Sequence, residues 1–148
     1  MEKLSVRFKR LDKRALAPVF SSGCAAGADI YALPGTHEEL LPGETCAIHT
    51  GLALEIPDGY AGLVFARSGL ALREGLAPAN KVGLIDSDYR GEIIVALHNH
   101  SDRPALVEGG ERIAQLMITP VPAVTFIEAS ELSDTARGSG GFGSTGKK

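Results

Sequence analysis

Apolar residues in this chain come in short runs that alternate with polar ones, and each run is soon closed by a turn signal. The clearest run is residues 46–56, where Cys46, Ile48, Thr50, Leu52, Leu54 and Ile56 fall on one side of an extended backbone. Leu4, Val6 and Phe8 alternate with Ser5 and Arg7 in the same way. Leu63-Val64-Phe65, residues 93–97 and residues 113–118 read as further strands, and Val124 with Phe126 marks a last one. Between them stand Leu33-Pro34-Gly35, Leu41-Pro42-Gly43, Ile56-Pro57-Asp58-Gly59 and Glu108-Gly109-Gly110, all turn-forming. Only residues 68–74, Ser-Gly-Leu-Ala-Leu-Arg-Glu, have helical character, with Ser68 as the expected cap. Short strands with turns between them predict an all-β fold, a jelly-roll-like barrel or sandwich with one short helix.

The 148 residues suffice for one domain with a real core, and 18 glycines and 8 prolines spread along the chain favour turns over long helices. Residues 1–132 are expected to form that domain. Residues 133–148 are small, polar and Gly-rich, and are expected to be a flexible C-terminal arm. A net charge of -3 gives no general attraction to nucleic acid, so any polyanion must meet a local basic cluster. No apolar run is long enough for a signal peptide or a membrane span, so a cytoplasmic location is expected. Cys24 and Cys46 do not make a disulfide framework and read as reduced thiols.

Five stretches carry chemistry. Asp29 lies in Ala26-Gly27-Ala28-Asp29-Ile30-Tyr31, an acid among small and apolar residues that alone reads as a turn aspartate. Ala66-Arg67-Ser68-Gly69-Leu70 follows a buried strand and opens the helix. A guanidinium, a hydroxyl and free N–H groups there suit an anion, with a capping serine beside a surface arginine as the equal alternative. Residues 80–93 set two apolar runs on either side of Ser87-Asp88-Tyr89-Arg90-Gly91 and read as a β-hairpin, with Asp86 near its bend. Its backbone could read a pyrimidine edge as it would read a neighbouring strand. Gln115 interrupts an apolar run in Gly110-Glu111-Arg112-Ile113-Ala114-Gln115-Leu116 and needs a partner if buried. The fifth stretch is the tail, residues 137–148. Its glycines reach Walker A spacing, but Lys148 stands where a Ser or Thr would serve magnesium. A backbone nest with Arg137 and a lone aromatic, Phe142, reads instead as a phosphate-and-base lid. His98 and His100 share one strand face, but no third ligand of suitable spacing accompanies them, and they read as solvated loop histidines.

These five stretches in this order, from about Ala26 to Gly146, resemble the trimeric dUTP diphosphatases (dUTPases). The resemblance implies a dUTPase-like β-clip, a homotrimer with sites shared between subunits, and Mg2+-assisted hydrolysis of dUTP to dUMP and pyrophosphate. That reaction keeps uracil out of DNA and supplies dUMP for dTMP synthesis. Asp86 resembles the carboxylate that activates water for in-line attack on the α-phosphorus. Arg67, Ser68, Gly69 and Gln115 would hold the phosphates, and Asp29 would meet the metal through a water. Asn80 and the backbone of Gly83, Leu84 and Ile85 would read uracil, with Ile94 lining the pocket. Tyr89 would pack under the deoxyribose and exclude a 2′-hydroxyl. Phe142 would cap the base, Gly143 belongs to the same arm, and Arg137, Ser144 and Thr145 would meet the γ-phosphate. Arg112 is placed as a structural tie. Asp29, Arg67, Ser68 and Gln115 would come from one chain, residues 80–94 from a second and the arm from a third.

A dCTP deaminase-like relative would share the fold, but its chemistry needs a glutamate where this chain has Ala96. A non-enzymatic nucleotide-binding trimer is the alternative from another class. Truncation before Arg137 is expected to keep the oligomer, seen by light scattering, and nearly abolish pyrophosphate release from dUTP. A truncated chain of full activity would end the lid reading.

Overall fold

The alternation of residues 46–56 becomes the longest strand of the molecule, and its sheet forms around it. A computed structural model describes residues 4–141. In chain order the elements are β1 (Arg7–Arg10), β2 (Ala28–Tyr31), β3 (His37–Leu40), β4 (Thr45–Glu55), β5 (Tyr60–Phe65), α1 (Ser68–Glu74), β6 (Leu76–Pro78), β7 (Gly83–Ile85), β8 (Glu92–Asn99), β9 (Ala105–Glu108) and β10 (Arg112–Pro120). One four-stranded sheet has the order β1-β4-β8-β6, a second β2-β10-β5-β7, and β3 pairs with β9 alone. The pairings between these strands are antiparallel. Both large sheets contribute to one apolar core, which holds Ile48 and Leu54 of β4, Val95 and Leu97 of β8, Val64 of β5 and Leu116 of β10. This is the jelly-roll-like all-β architecture that the alternation and the turns predict.

The turns form where the sequence places them. At Leu41-Pro42-Gly43-Glu44 the Glu44 amide donates to the Leu41 carbonyl at 3.0 Å, and Gly43 takes φ 80°, a value that favours glycine. The helix occupies the expected residues, but its cap differs. Arg67 is the N-cap, with extended backbone and no side-chain cap bond, so Ser68 is the first helical residue and not the cap.

Three other expectations are corrected. Residues 80–93 are not a hairpin: β7 pairs with β5, whereas β8 pairs with β4 and β6. Asp86 to Gly91 therefore turn a corner from one sheet to the other. Two apolar runs around a turn specify a reversal, but they do not say which strands receive them. Val124 and Phe126 form no strand, and Phe126 is 96% exposed, because nothing among the described residues pairs with or covers them. The first strand begins at Arg7, and its four residues are all exposed, Phe8 included.

Asn99, fully buried at the end of β8, joins the smaller sheet to the larger one. Its Nδ2 donates to the carbonyls of Leu40 and Arg103, both at 2.8 Å, and its Oδ1 accepts from the amide and the hydroxyl of Ser101. Replacing it with alanine removes the amide's bond to the buried Leu40 carbonyl and the others it makes to the Ser101–Arg103 loop. Asn99→Ala is expected to cost about 2–4 kcal/mol, read from the midpoint shift in urea at unchanged slope.

Candidate active site

Where β7 gives way to β8, the chain encloses a cleft of about 280 Å³ lined by Asn80, Gly83, Leu84, Ile85, Asp86, Tyr89, Ile94 and their neighbours. β7 is an edge strand, so the side turned away from β5 has no strand to satisfy its backbone groups. Just before it, the Val82 amide donates to the Asn80 carbonyl at 2.7 Å around Lys81, which adopts φ 66°. That tight γ-like turn is costly for a side chain with a Cβ. It brings the Asn80 amide over the bare face of Gly83, where an added Cβ would lie 3.4 Å from Nδ2. Asp86 is exposed at the start of the corner, and its carbonyl accepts from the Tyr89 amide at 3.2 Å.

The far wall is held from behind. The Tyr89 hydroxyl donates to the Glu92 carbonyl at 2.9 Å, and the ring lies across Gly91. The Glu92 carboxylate points to β4, accepting from the Gly51 amide at 2.8 Å and meeting His49 Nδ1 at 2.9 Å. There the β4–β8 register slips between His49 and Ala53, and Gly51 takes φ 70°. Desolvation pushes the Glu92 carboxyl upward, but the bonds from His49, Gly51 and Thr50 outweigh it and hold the group below its ordinary value.

A second cluster lies on the other sheet. Asp29, Gln115 and Phe65 are aligned across β2, β10 and β5. Asp29 is 3% exposed; its Oδ1 accepts from Arg67 Nε at 3.0 Å and its Oδ2 from Arg112 Nη1 at 3.4 Å. Arg67 Nη1 also donates to the Arg112 carbonyl at 3.3 Å. Arg67 and Arg112 line a polar hollow of about 390 Å³ with Arg73, Glu74, Glu111 and Tyr31. The aspartate is thus a buried strand residue, not a turn aspartate. Each of its two oxygens accepts from an arginine. Arg112 ties strands as expected. Gln115 is half-buried, and Ser68 and Gly69 sit in the first turn of α1 beside Arg67.

The structure therefore gathers Asn80, Gly83, Leu84, Ile85, Asp86, Tyr89 and Ile94 into one cleft, and Arg67 into another that shares no lining residue with the first. Arg137 is exposed and donates to the Gly140 carbonyl. Phe142, Gly143, Ser144 and Thr145 lie outside the described residues. His98 is not a loop residue but part of β8, with Nδ1 2.8 Å from the Thr45 hydroxyl, and its ring meets that of His100 edge-on at 4.4 Å. Among the described residues no three His, Cys, Asp or Glu side chains cluster as a metal site. Sequence reasoning missed Glu92 and His49, which look like ordinary surface charges. Gly51 was the available signal, because a lone glycine in an alternating strand marks a bulge.

The dUTPase family model matches residues 13–146. The chain belongs to the dUTPase family. The deoxyuridine 5′-triphosphate nucleotidohydrolase of Desulfitobacterium hafniense is 48% identical over 145 residues, covering 97% of this chain and 96% of that one. Among solved structures, the dUTPase of Staphylococcus bacteriophage 80alpha with dUPNHPP superposes with a TM-score of 0.89 at 30% identity, covering 97% of this chain and 99% of that one. A mutant dUTPase from phage phi11 of S. aureus, described with a structural Mg(II) ion, reaches 0.78 at 25% identity over 86% of this chain and 98% of that one.

In this dUTPase-family chain, the Glu92 ties have a measurable pH signature. A carboxyl held below its ordinary value of 4.5 adds stability that is complete above that pH and fades as the pH falls through the folded-state value. Glu92→Gln is expected to flatten the loss of urea stability below about pH 4.5. An unchanged acid limb would show that the carboxylate is not so engaged.

Proposed function

We propose that this chain hydrolyses dUTP to dUMP and pyrophosphate at a site assembled from more than one copy of itself. Family membership supports the reaction. The observation that carries the site is the cleft between β7 and β8, which joins an open strand edge to a carboxylate and an aromatic wall.

The open edge of β7 suits a base that alternates acceptor and donor, as uracil does, with the Asn80 amide completing the reading. A C5 methyl would meet the tight backbone, and cytosine would leave polar groups mismatched. Tyr89 underlies the sugar. Asp86, at the rim, takes the proton of the attacking water and directs it at the α-phosphorus in line with the leaving pyrophosphate. General-base help of this kind is worth about 10²–10⁴-fold. Arg67, with Ser68, Gly69 and Gln115, neutralises charge on the phosphates. Asp29 serves this step by orienting Arg67 through their 3.0 Å bond. Magnesium arriving on the triphosphate would keep several waters, one of which Asp29 would meet, and would spread the phosphate charge. Arg137 and the arm residues Phe142, Gly143, Ser144 and Thr145 would close over the bound nucleotide.

Sharing between copies is supported by the separation of the two clefts within one chain. It is also supported by unspent apolar surface. A groove of about 440 Å³ is lined by Leu4, Phe8, Phe20, Leu54, Leu116 and Ile118, while Val124, Phe126, Ile127 and Leu132 stand exposed after β10. Such a patch suits a further copy of the chain, and a homotrimer is the assembly we assign. Deamination of dCTP is disfavoured because Ala96 lines the cleft where a glutamate would be needed, and the Glu92 oxygens face Gly51 and His49.

Asp86→Asn is expected to bind a dUTP analogue with near-normal affinity by calorimetry and to release pyrophosphate at least about 100-fold more slowly. Near-normal turnover would remove Asp86 from the chemistry. Ammonia release from dCTP by the unaltered protein would favour the deaminase reading.

A further inference from the structure

We propose that Glu92 and Gly91 are positioning residues that hold the Tyr89 ring as the barrier to a 2′-hydroxyl, with His49 completing the support. This rests on the reading of Tyr89 as the wall beneath the sugar.

A ring rejects one added oxygen only if it cannot move aside, and Tyr89 is 46% exposed, so its own packing does not immobilise it. Two features do. The first is Gly91. A Cβ built there would lie 2.5 Å from Tyr89 Cζ and 2.9 Å from Cε2, so the ring occupies space that only glycine leaves open. The second is the Glu92 carbonyl, which accepts from the Tyr89 hydroxyl at 2.9 Å and anchors the far end of the ring.

That carbonyl is only as steady as residue 92, the first residue of β8. Its register partner Ala53 lies beyond the slip in β4, so the ladder is interrupted just where the anchor is needed. The Glu92 side chain bridges the interruption, with Oε1 on the Gly51 amide and Oε2 on His49 Nδ1. Thr50 adds a buried tie, donating its hydroxyl to the Ile93 carbonyl at 2.6 Å. Arg90 braces the corner from outside, donating to the carbonyls of Ser87 and Tyr89. The line of support runs from the β4 bulge through the Glu92 carboxylate to its carbonyl and on to the Tyr89 ring.

The readout is the ratio of kcat/KM for dUTP to that for UTP, which a merely destabilising change leaves alone because it lowers both. Tyr89→Ala sets the reference for a missing wall. Glu92→Ala and Gly91→Ala are expected to reduce the ratio by about tenfold or more, the lower range for one steric contact. Most of the change should come from better use of UTP. Glu92→Gln is expected to restore most of the ratio, since its amide oxygen still accepts from Gly51 and its NH2 can donate to neutral His49. In the Tyr89→Ala background, Glu92→Ala should change the ratio little, as expected of residues acting through one ring. A ratio that collapses in Tyr89→Ala but stays intact in Glu92→Ala and Gly91→Ala overturns this inference alone. A ratio unchanged in Tyr89→Ala overturns the sugar-wall reading and this inference with it. Should Gly91→Ala fail to fold, the Glu92 pair decides.

Discussion

The place where β4 and β8 lose register is the constraint on which the cleft depends. A strand cannot continue its ladder through an extra residue, so the Gly51 amide turns away from its neighbour and needs another acceptor. The Glu92 carboxylate supplies it, and the Thr50 hydroxyl ties the buried side of the same step to the Ile93 carbonyl. Gly51 itself has no room for a side chain, because Leu33 and Ala15 approach within 3.0 Å of where its Cβ would be. Packing, backbone satisfaction and the wall of the cleft thus meet in a few residues around the register slip.

The electrostatics of the two clusters differ in kind. On the β2–β10 side, one buried carboxylate is shared by two arginines, so the guanidiniums are held in place. On the β7–β8 side, the exposed carboxylate of Asp86 stands among apolar walls and carries no ion pair among the described residues. On the proposed reading, the phosphate-binding arginines and the base that takes the water's proton stand on different sheets of one chain, and would meet only between copies.

Much of this was legible in the alternation. The strands around residues 46–56, 63–65, 93–97 and 113–118 and the helix at 68–74 all form, because their periodicity records which side meets the core. The order of motifs carried the family. What stayed hidden was pairing between distant segments. Gly83 to Ile85 read as half of a hairpin because the turn after them is local, whereas their partner, Gly62 to Val64, is set by the packing of the whole sheet. The two arginines that bond Asp29 were not legible as its partners, because they lie 38 and 83 residues away along the chain. Ser68 looked like a cap, yet Arg67, whose side chain is drawn to Asp29, holds that position. Val124 and Phe126 show the reverse case, a strand-like pattern with no partner among the described residues.

The brevity of β7 has its own consequence. An unprotected sheet margin is a hazard, since any extended peptide can dock along it and seed aggregation. At three residues, this margin is too short to reward a passing polypeptide. If the proposed base is read there, its small size suits the same short length, and a longer strand would invite the wrong guests.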